Sequence, residues 1–219
     1  MDATEMELRE QLVHIMKAMD ARGLNRGTSG NASVRHGEDM LITPTGVPPA
    51  QLHADQVVLV HADGTWSTEG ARPSSEWQMH SGILLRRPDI NAVVHCHSRH
   101  ATILACAGRE IPSMHYMVGV SGGSSVPVAP YATFGSVELA DATVDALDGR
   151  FAALLANHGQ IAIARTLQRA LAIAEEIEEQ AAIYWGTLAI GGPNLLDEAE
   201  MSRVLAKFRT YGQQGRGKD

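Results

Sequence analysis

His95, Cys96 and His97 stand at the end of the apolar run Ala92-Val93-Val94. Side chains alternate faces along a strand, so the two histidines share one face and Cys96 takes the other. Neutral imidazole nitrogens are good ligands for a divalent metal such as zinc. Two of them side by side at a strand end suit that role better than packing. His158, in Asn157-His158-Gly159 directly after the apolar segment 151–155, is the candidate third ligand. Gly159 would let the backbone turn sharply and come close to the metal. Three histidines leave a coordination position open, as a catalytic metal requires. Read singly, His95 and His97 are also compatible with polar residues at a strand end, and His158 with a turn. The other histidines, His14, His36, His53, His61, His80, His100 and His115, have no paired spacing and are assigned to surface or packing.

Glu76 follows Ser74 and Ser75 at the start of a predicted helix. A carboxylate there commonly just balances the helix dipole. Its company points further. The two serines put hydroxyls and unpaired N–H groups at a helix N-terminus, a ready anion site. The Gly30-Asn31 and Thr45-Gly46 turns could add more neutral donors. A phosphate held without lysine, a carboxylate to move a proton and a divalent metal suit chemistry on a small phosphorylated carbonyl compound. The glycine-rich segment 121–125 lacks the Walker lysine spacing and reads as a loop.

These residues need elements to hold them. Helical spacing predicts helices over 4–21, from Ser74 or Ser75 to about 86, over 98–107, 136–147, 166–190 and 197–208. Strands are expected over 32–35, 40–42, 56–61, 92–97, 151–155 and 161–164, with strand plus loop over 116–128. Helices and strands mix without strict alternation, which favours a three-layer α/β/α arrangement with a mainly antiparallel or mixed sheet. One domain over 1–219 is expected, with a glycine- and charge-rich tail, predicted flexible, from about Gly212.

A net charge of −7 argues against general binding to nucleic acid or to a membrane surface. No run of 18 apolar residues predicts a membrane span, and the acidic start lacks the apolar core of a secretory signal. Two cysteines, Cys96 and Cys106, one of them inside the metal strand, predict no structural disulfide and a cytoplasmic setting.

The ordered set Asn25-Arg26-Gly27-Thr28-Ser29-Gly30-Asn31, Ile42-Thr43-Pro44-Thr45-Gly46, Pro73-Ser74-Ser75-Glu76, His95-Cys96-His97 and Asn157-His158-Gly159 resembles the class II aldolase/adducin family. The segments 111–117, 129–135 and 207–212 resemble its L-fuculose-1-phosphate aldolase branch. The resemblance implies an α/β/α fold and a homotetramer with interfacial active sites. It implies Zn2+ on His95, His97 and His158, with Mn2+ or Co2+ as other ions this set would accept, and Glu76 as acid/base that also meets the resting metal. Phosphate contacts would fall to Gly30, Asn31, Thr45, Gly46, Ser74 and Ser75. Tyr116 would reach in from a neighbouring subunit and protonate the aldehyde oxygen, while Phe134 and Tyr211 would shape the aldehyde end. The implied reaction is reversible cleavage of a ketose 1-phosphate into dihydroxyacetone phosphate and an aldehyde. Fuculose 1-phosphate is the default substrate, and 5-deoxyribulose or 5-methylthioribulose 1-phosphate is the alternative. A sugar-phosphate 4-epimerase is the rival enzyme class, although that branch generally carries aspartate in place of Glu76. A non-catalytic interaction module is the remaining reading, and the three metal histidines speak against it.

Overall fold

The structure is a computed structural model that describes residues 3–67 and 69–208. The elements in chain order are α1 (Ala3–Ala21), β1 (Asn31–His36), β2 (Asp39–Ile42), β3 (Val58–Val60), α2 (Trp77–Arg86), β4 (Ala92–Cys96), α3 (Arg99–Cys106), β5 (Val128–Ala129), α4 (Val137–Ala146), β6 (Ala152–Leu155), β7 (Gly159–Ala164), α5 (Leu167–Leu188) and α6 (Glu198–Phe208). The strands form a seven-stranded sheet in the order β3-β2-β1-β4-β7-β6-β5. All pairs are antiparallel except β5 with β6.

Strand alternation sorts the core into two layers. Ala32, Val34, Leu41, Val94, Cys96, Leu154 and Ala162 pack with α1, α3 and α5 on one face. Met40, Ile42, Val93, Leu155, Ile161 and Ile163 pack with α2 and α4 on the other. Helices therefore cover both faces, giving the expected α/β/α layering. Every residue of β4, β6 and β7 is buried, which explains why these strands read as continuous apolar runs.

Most predicted elements are present within a residue or two. Three differ. The 56–61 strand shrinks to β3 because Ala54–Gln56 coils into a 3-10 turn, where Gln56 Oε1 accepts from the His53 N–H. The 116–128 segment is a 3-10 helix over Tyr116–Ser121, closed by Gly122 in the left-handed region, and only Val128–Ala129 pairs in the sheet. Helix α2 starts at Trp77, so neither Ser74 nor Ser75 is its N-cap. Glu76 holds that position, and its side chain makes no capping bond because the carboxylate is turned toward the histidines. The tail predicted from Gly212, and Tyr211 with it, lies outside the described residues. Among the described residues both cysteines are free, and no helix is long and apolar enough to cross a membrane.

Candidate metal centre and anion cavity

The sheet topology brings distant residues to one edge. β1 runs antiparallel to β4, and β4 to β7. The start of β1, the end of β4 and the start of β7 therefore meet. Asn31 pairs with His95 across β1 and β4, and Cys96 pairs with Gln160 across β4 and β7. His158 sits in the tight turn between β6 and β7, closed by the Leu155–Gly159 pair. Asn157 takes the left-handed conformation there, with φ of 55°. That conformation is tolerable for asparagine and strained for most side chains.

Gly159 is required by close approach. A Cβ there would lie 2.5 Å from the Cys96 carbonyl oxygen and 3.1 Å from His97 Cδ2. Gly30 has φ of 74°, and the Asn25 side chain fills the space its Cβ would need. Asn25 Oδ1 in turn accepts from the His97 backbone N–H at 3.3 Å.

The three imidazoles form a near-equilateral group, with ring centroids 4.9, 4.7 and 4.8 Å apart. His95 Nε2 lies 3.0 Å from His97 Nε2 and 3.2 Å from Glu76 Oε2, and His158 Nε2 lies 3.2 Å from Glu76 Oε1. One ligand atom from each of the four residues falls within a 4.8 Å spread. A tetrahedral zinc with bonds of about 2.0–2.1 Å needs ligand atoms about 3.3 Å apart. These separations and the three-imidazole, one-carboxylate donor set fit a divalent ion. Glu76 Oε1 is buried without a hydrogen bond of good geometry, a costly state that such an ion would relieve. His95 Nδ1 contacts the Gln160 carbonyl at 2.9 Å, which leaves Nε2 bare toward the centre. Cys96, on the opposite face, is fully buried, and burial pushes its thiol up to about 12, so it offers no thiolate.

The electrostatics agree with a coupled cluster. Burial alone would push the Glu76 carboxyl up, yet His95 and His158 hold it well below the usual carboxylate range. Burial works against charge on His95 too, but the Glu76 carboxylate raises its pKa. His97 is lowered to about 4 by burial and by the two neighbouring imidazoles.

A cavity of about 300 Å³ adjoins this centre. Gly30, Asn31, Thr45, Gly46, Ser74 and Ser75 all line it, together with Glu76, His97 and His158. No lysine or arginine does among the described residues. The neutral cradle is built by the bridge between Pro44 and Pro73, with Ser74 N–H donating to Thr43 O at 3.0 Å and Thr45 N–H to Arg72 O at 3.1 Å. It opens at the N-terminal end of α2, where the helix dipole favours an anion. Tyr131 and Phe134 also line the cavity and are 64 % and 66 % exposed. Tyr116 does not line the cavity; it is 51 % exposed and stacks near Phe208.

Sequence reasoning missed four contributors. His80, assigned to surface or packing, is fully buried and contacts Asn31 Oδ1 at 2.6 Å. Its signal was present: it follows Glu76 by four residues, one turn on along the same face of the helix start. Ser33 shares the β1 face of Asn31 by the period of two and meets His80 at 2.7 Å. Asn25 and Tyr131 carry no spacing signal at all.

The family described as Class II Aldolase and Adducin N-terminal domain matches residues 10–185. A 5-methylthioribulose-1-phosphate/5-deoxyribulose-1-phosphate aldolase of Rhodospirillum rubrum is 47 % identical over 213 residues, covering 97 % of this chain and 96 % of its own. An L-fuculose phosphate aldolase of Escherichia coli is 45 % identical over 207 residues, covering 94 % and 96 %. Among solved structures, an L-fuculose 1-phosphate aldolase superposes with a TM-score of 0.90 at 38 % identity, covering 93 % of this chain and 96 % of its own.

Proposed function

The chain belongs to the class II aldolase and adducin family, and from that premise we propose that it is a metal-dependent aldolase cleaving a ketose 1-phosphate into dihydroxyacetone phosphate and an aldehyde. The observation that carries this reading is the placement of Glu76 among His95, His97 and His158 beside a cavity lined by neutral phosphate donors. His95, His97 and His158 would hold the ion, zinc by its donor set, with Glu76 beside it in the resting state. A divalent ion there would polarise the substrate carbonyl and its neighbouring hydroxyl.

The chain's own residues supply the rest. Gly30, Asn31, Thr45, Gly46, Ser74 and Ser75 would bind the phosphate and fix the register of the sugar. Cleavage breaks the C3–C4 bond. The C4 hydroxyl would pass its proton to the group that protonates the aldehyde oxygen in synthesis, the proposed part of Tyr116 from a neighbouring subunit; C4 becomes the aldehyde, and the electron pair passes to C3 and the C2 carbonyl. Glu76 would then deliver a proton to C3, completing dihydroxyacetone phosphate. In the synthetic direction it would remove that proton. Imidazole contacts hold the carboxyl pKa down while burial pushes it up. Substrate that displaces Glu76 from the histidines removes the first influence and keeps the second, which turns a bystander carboxylate into a proton carrier. Tyr116, half exposed and off the cavity of its own chain, fits the proposed part of proton donor to a neighbouring subunit's aldehyde oxygen in a homotetramer.

The relatives divide on the aldehyde. The 47 % identical relative is named for 5-methylthioribulose and 5-deoxyribulose 1-phosphates, and others for fuculose phosphate. We assign the chain to the first pair, with fuculose 1-phosphate as the second reading. That assignment rests on the relative's name; Tyr131 and Phe134 give the cavity an apolar wall that suits a methyl or methylthio end, which all three candidate sugars carry. Phe134 and Tyr211 are the proposed shapers of that end.

The test is release of dihydroxyacetone phosphate from a panel of these ketose 1-phosphates, with and without chelator. Chelator-sensitive release is expected, fastest with the 5-methylthio or 5-deoxy compound. Epimerised ketose phosphate without free dihydroxyacetone phosphate would replace the aldolase reading with the epimerase one.

A further inference from the structure

We propose that His80 is a positioning residue for Glu76, acting through Asn31, whose amide it locks with the NH2 group turned toward the carboxylate. The role rests on the reading of Glu76 as the proton carrier, and the hydrogen-bond pattern beneath it stands independently.

His80 lies in α2, fully buried between the helix and β1. Its Nε2 is 2.6 Å from Asn31 Oδ1, and its Nδ1 is 2.7 Å from Ser33 Oγ. An amide oxygen can only accept, so Nε2 carries the proton. Burial and the nearby His95 keep the ring neutral, lowering its pKa to about 3. A neutral ring protonated at Nε2 has a bare Nδ1, which must accept from the Ser33 hydroxyl.

Asn31 is then left with one orientation. Its Oδ1 is taken by His80, and its Nδ2 donates to Glu76 Oε2 and Ser74 Oγ, each at 2.9 Å. Flipping the amide would set a carbonyl against the Glu76 carboxylate and would force the His80 proton to move to Nδ1. The carboxylate and the ring protonated at Nε2 therefore hold the amide from its two ends, in a buried site where unpaired polar groups are costly. The chain of donors Ser33, His80 and Asn31 thus runs in one direction only, toward the Glu76 carboxylate. It ends on the carboxylate oxygen that faces His95.

The His80 side chain is neither among the residues lining the cavity nor among the four that could hold a metal. A purely structural His80 would fill space between α2 and β1 and leave the Asn31 amide free to choose its own orientation. The two roles separate in a measurement on the resting protein and in a mutant cycle.

The first measurement is a long-range proton–nitrogen NMR spectrum of protein labelled at histidine nitrogens, taken from about pH 5 to 8, with the His80 signal identified by its loss in His80→Gln. A neutral ring protonated at Nε2, shifting in Asn31→Ala, is expected. A ring protonated at Nδ1 and bare at Nε2 overturns the proposal. The second uses dihydroxyacetone phosphate release by His80→Leu, Asn31→Ala and the double variant. Each single change is expected to lower kcat/KM by about ten- to a hundredfold, the consequence of losing or misorienting the one buried Asn31 donor to the Glu76 carboxylate. The double variant is expected to match Asn31→Ala within about twofold. His80→Gln, which can still donate to Oδ1, should recover most of the loss. Losses that multiply, or full activity in His80→Leu, overturn the proposal. Should His80→Leu fail to fold, Ser33→Ala removes the first donor with little change of volume and enters the same cycle. If the wild type cleaves no ketose 1-phosphate, the aldolase reading fails, and the ring's protonation state alone decides the positioning role.

Discussion

Gly159→Ala should loosen the metal centre without touching a ligand. The added Cβ would stand 2.5 Å from the Cys96 carbonyl oxygen, about 0.8 Å short of an ordinary contact of about 3.3 Å. The opposing atom is backbone, in the ladder that pairs Cys96 with Gln160, so no flexible side chain can yield. Relief requires the end of β4 to move away from the start of β7. His97 follows that strand end and His158 precedes that strand start, so relief widens the histidine group directly. Overpacking of this kind costs about 1–3 kcal/mol. If the strain is borne by the metal-bound state, zinc affinity falls about five- to 150-fold. If the metal-free fold bears it, Tm falls by about 2–12 °C. Equilibrium competition with a chromophoric chelator reads the first, and calorimetry of metal-free protein reads the second. Gly186→Ala in α5 is the control: nothing lies within 4 Å of its Cβ position, and the change should stabilise by about 0.5–1 kcal/mol. A Gly159→Ala protein that keeps both zinc affinity within about twofold and the wild-type Tm would refute the argument.

Glu76→Gln should retain metal and lose about 10²- to 10⁴-fold in kcat, the usual share of a positioned proton carrier; full turnover in a zinc-loaded variant would remove Glu76 from the reaction. The His80 ring, with a folded pKa of about 3 against about 6.5 unfolded, makes metal-free stability pH-dependent. Below about pH 6.5 the unfolded chain takes up a proton that the folded chain refuses, so stability is full above that value and drains as pH falls toward about 3. Between about pH 6.5 and 5.5 the wild type should lose about 1 kcal/mol more than His80→Gln, measured by urea unfolding in chelator, and parallel curves would contradict a buried neutral ring. Asn157→Ala must hold φ of 55° without asparagine's tolerance, at a cost of about 1–2 kcal/mol, whereas Asn157→Gly should be near neutral; equal urea midpoints for the two would show that the turn relaxes.

The legible part of the fold was the part written in period. The strand that ends in His95-Cys96-His97 and the long stripe of α5 carry patterns that tertiary contacts reinforce. The segment after Tyr116 carries none. Its apolar residues satisfy a 3-10 helix because Val204 and Phe208 of α6 pack against Gly119, where a Cβ would lie 2.8 Å from the Phe208 ring. That contact spans some ninety residues of sequence and leaves no local trace. The start of α2 misled for a related reason. Ser74 and Ser75 have the chemistry of N-caps, but the Ser74 hydroxyl is engaged by Asn31 Nδ2 and the Glu76 N–H instead. Site chemistry overrode helix chemistry.

The same override explains how a moderate metal signal becomes a reaction centre. Two histidines at a strand end and one in a turn would make a metal site on many folds. Here β1, β4 and β7 alternate in direction, so the metal residues, Asn31 and the Gly30 turn must share one edge of the sheet. Asn31 stands at the join. It lines the cavity beside the histidines and donates to Glu76 at 2.9 Å. An anion in the cradle that draws the Asn31 NH2 group toward itself would withdraw a donor from Glu76 Oε2 and favour its departure from the histidines. Under the proposed function, phosphate binding and release of the proton carrier are thereby coupled through one amide. A phosphate-free analogue of the substrate should then lose kcat as well as affinity in the wild type, and lose kcat to a smaller extent in Asn31→Ala, where the coupling amide is absent. Equal kcat losses in the two proteins would show that the cradle serves binding alone.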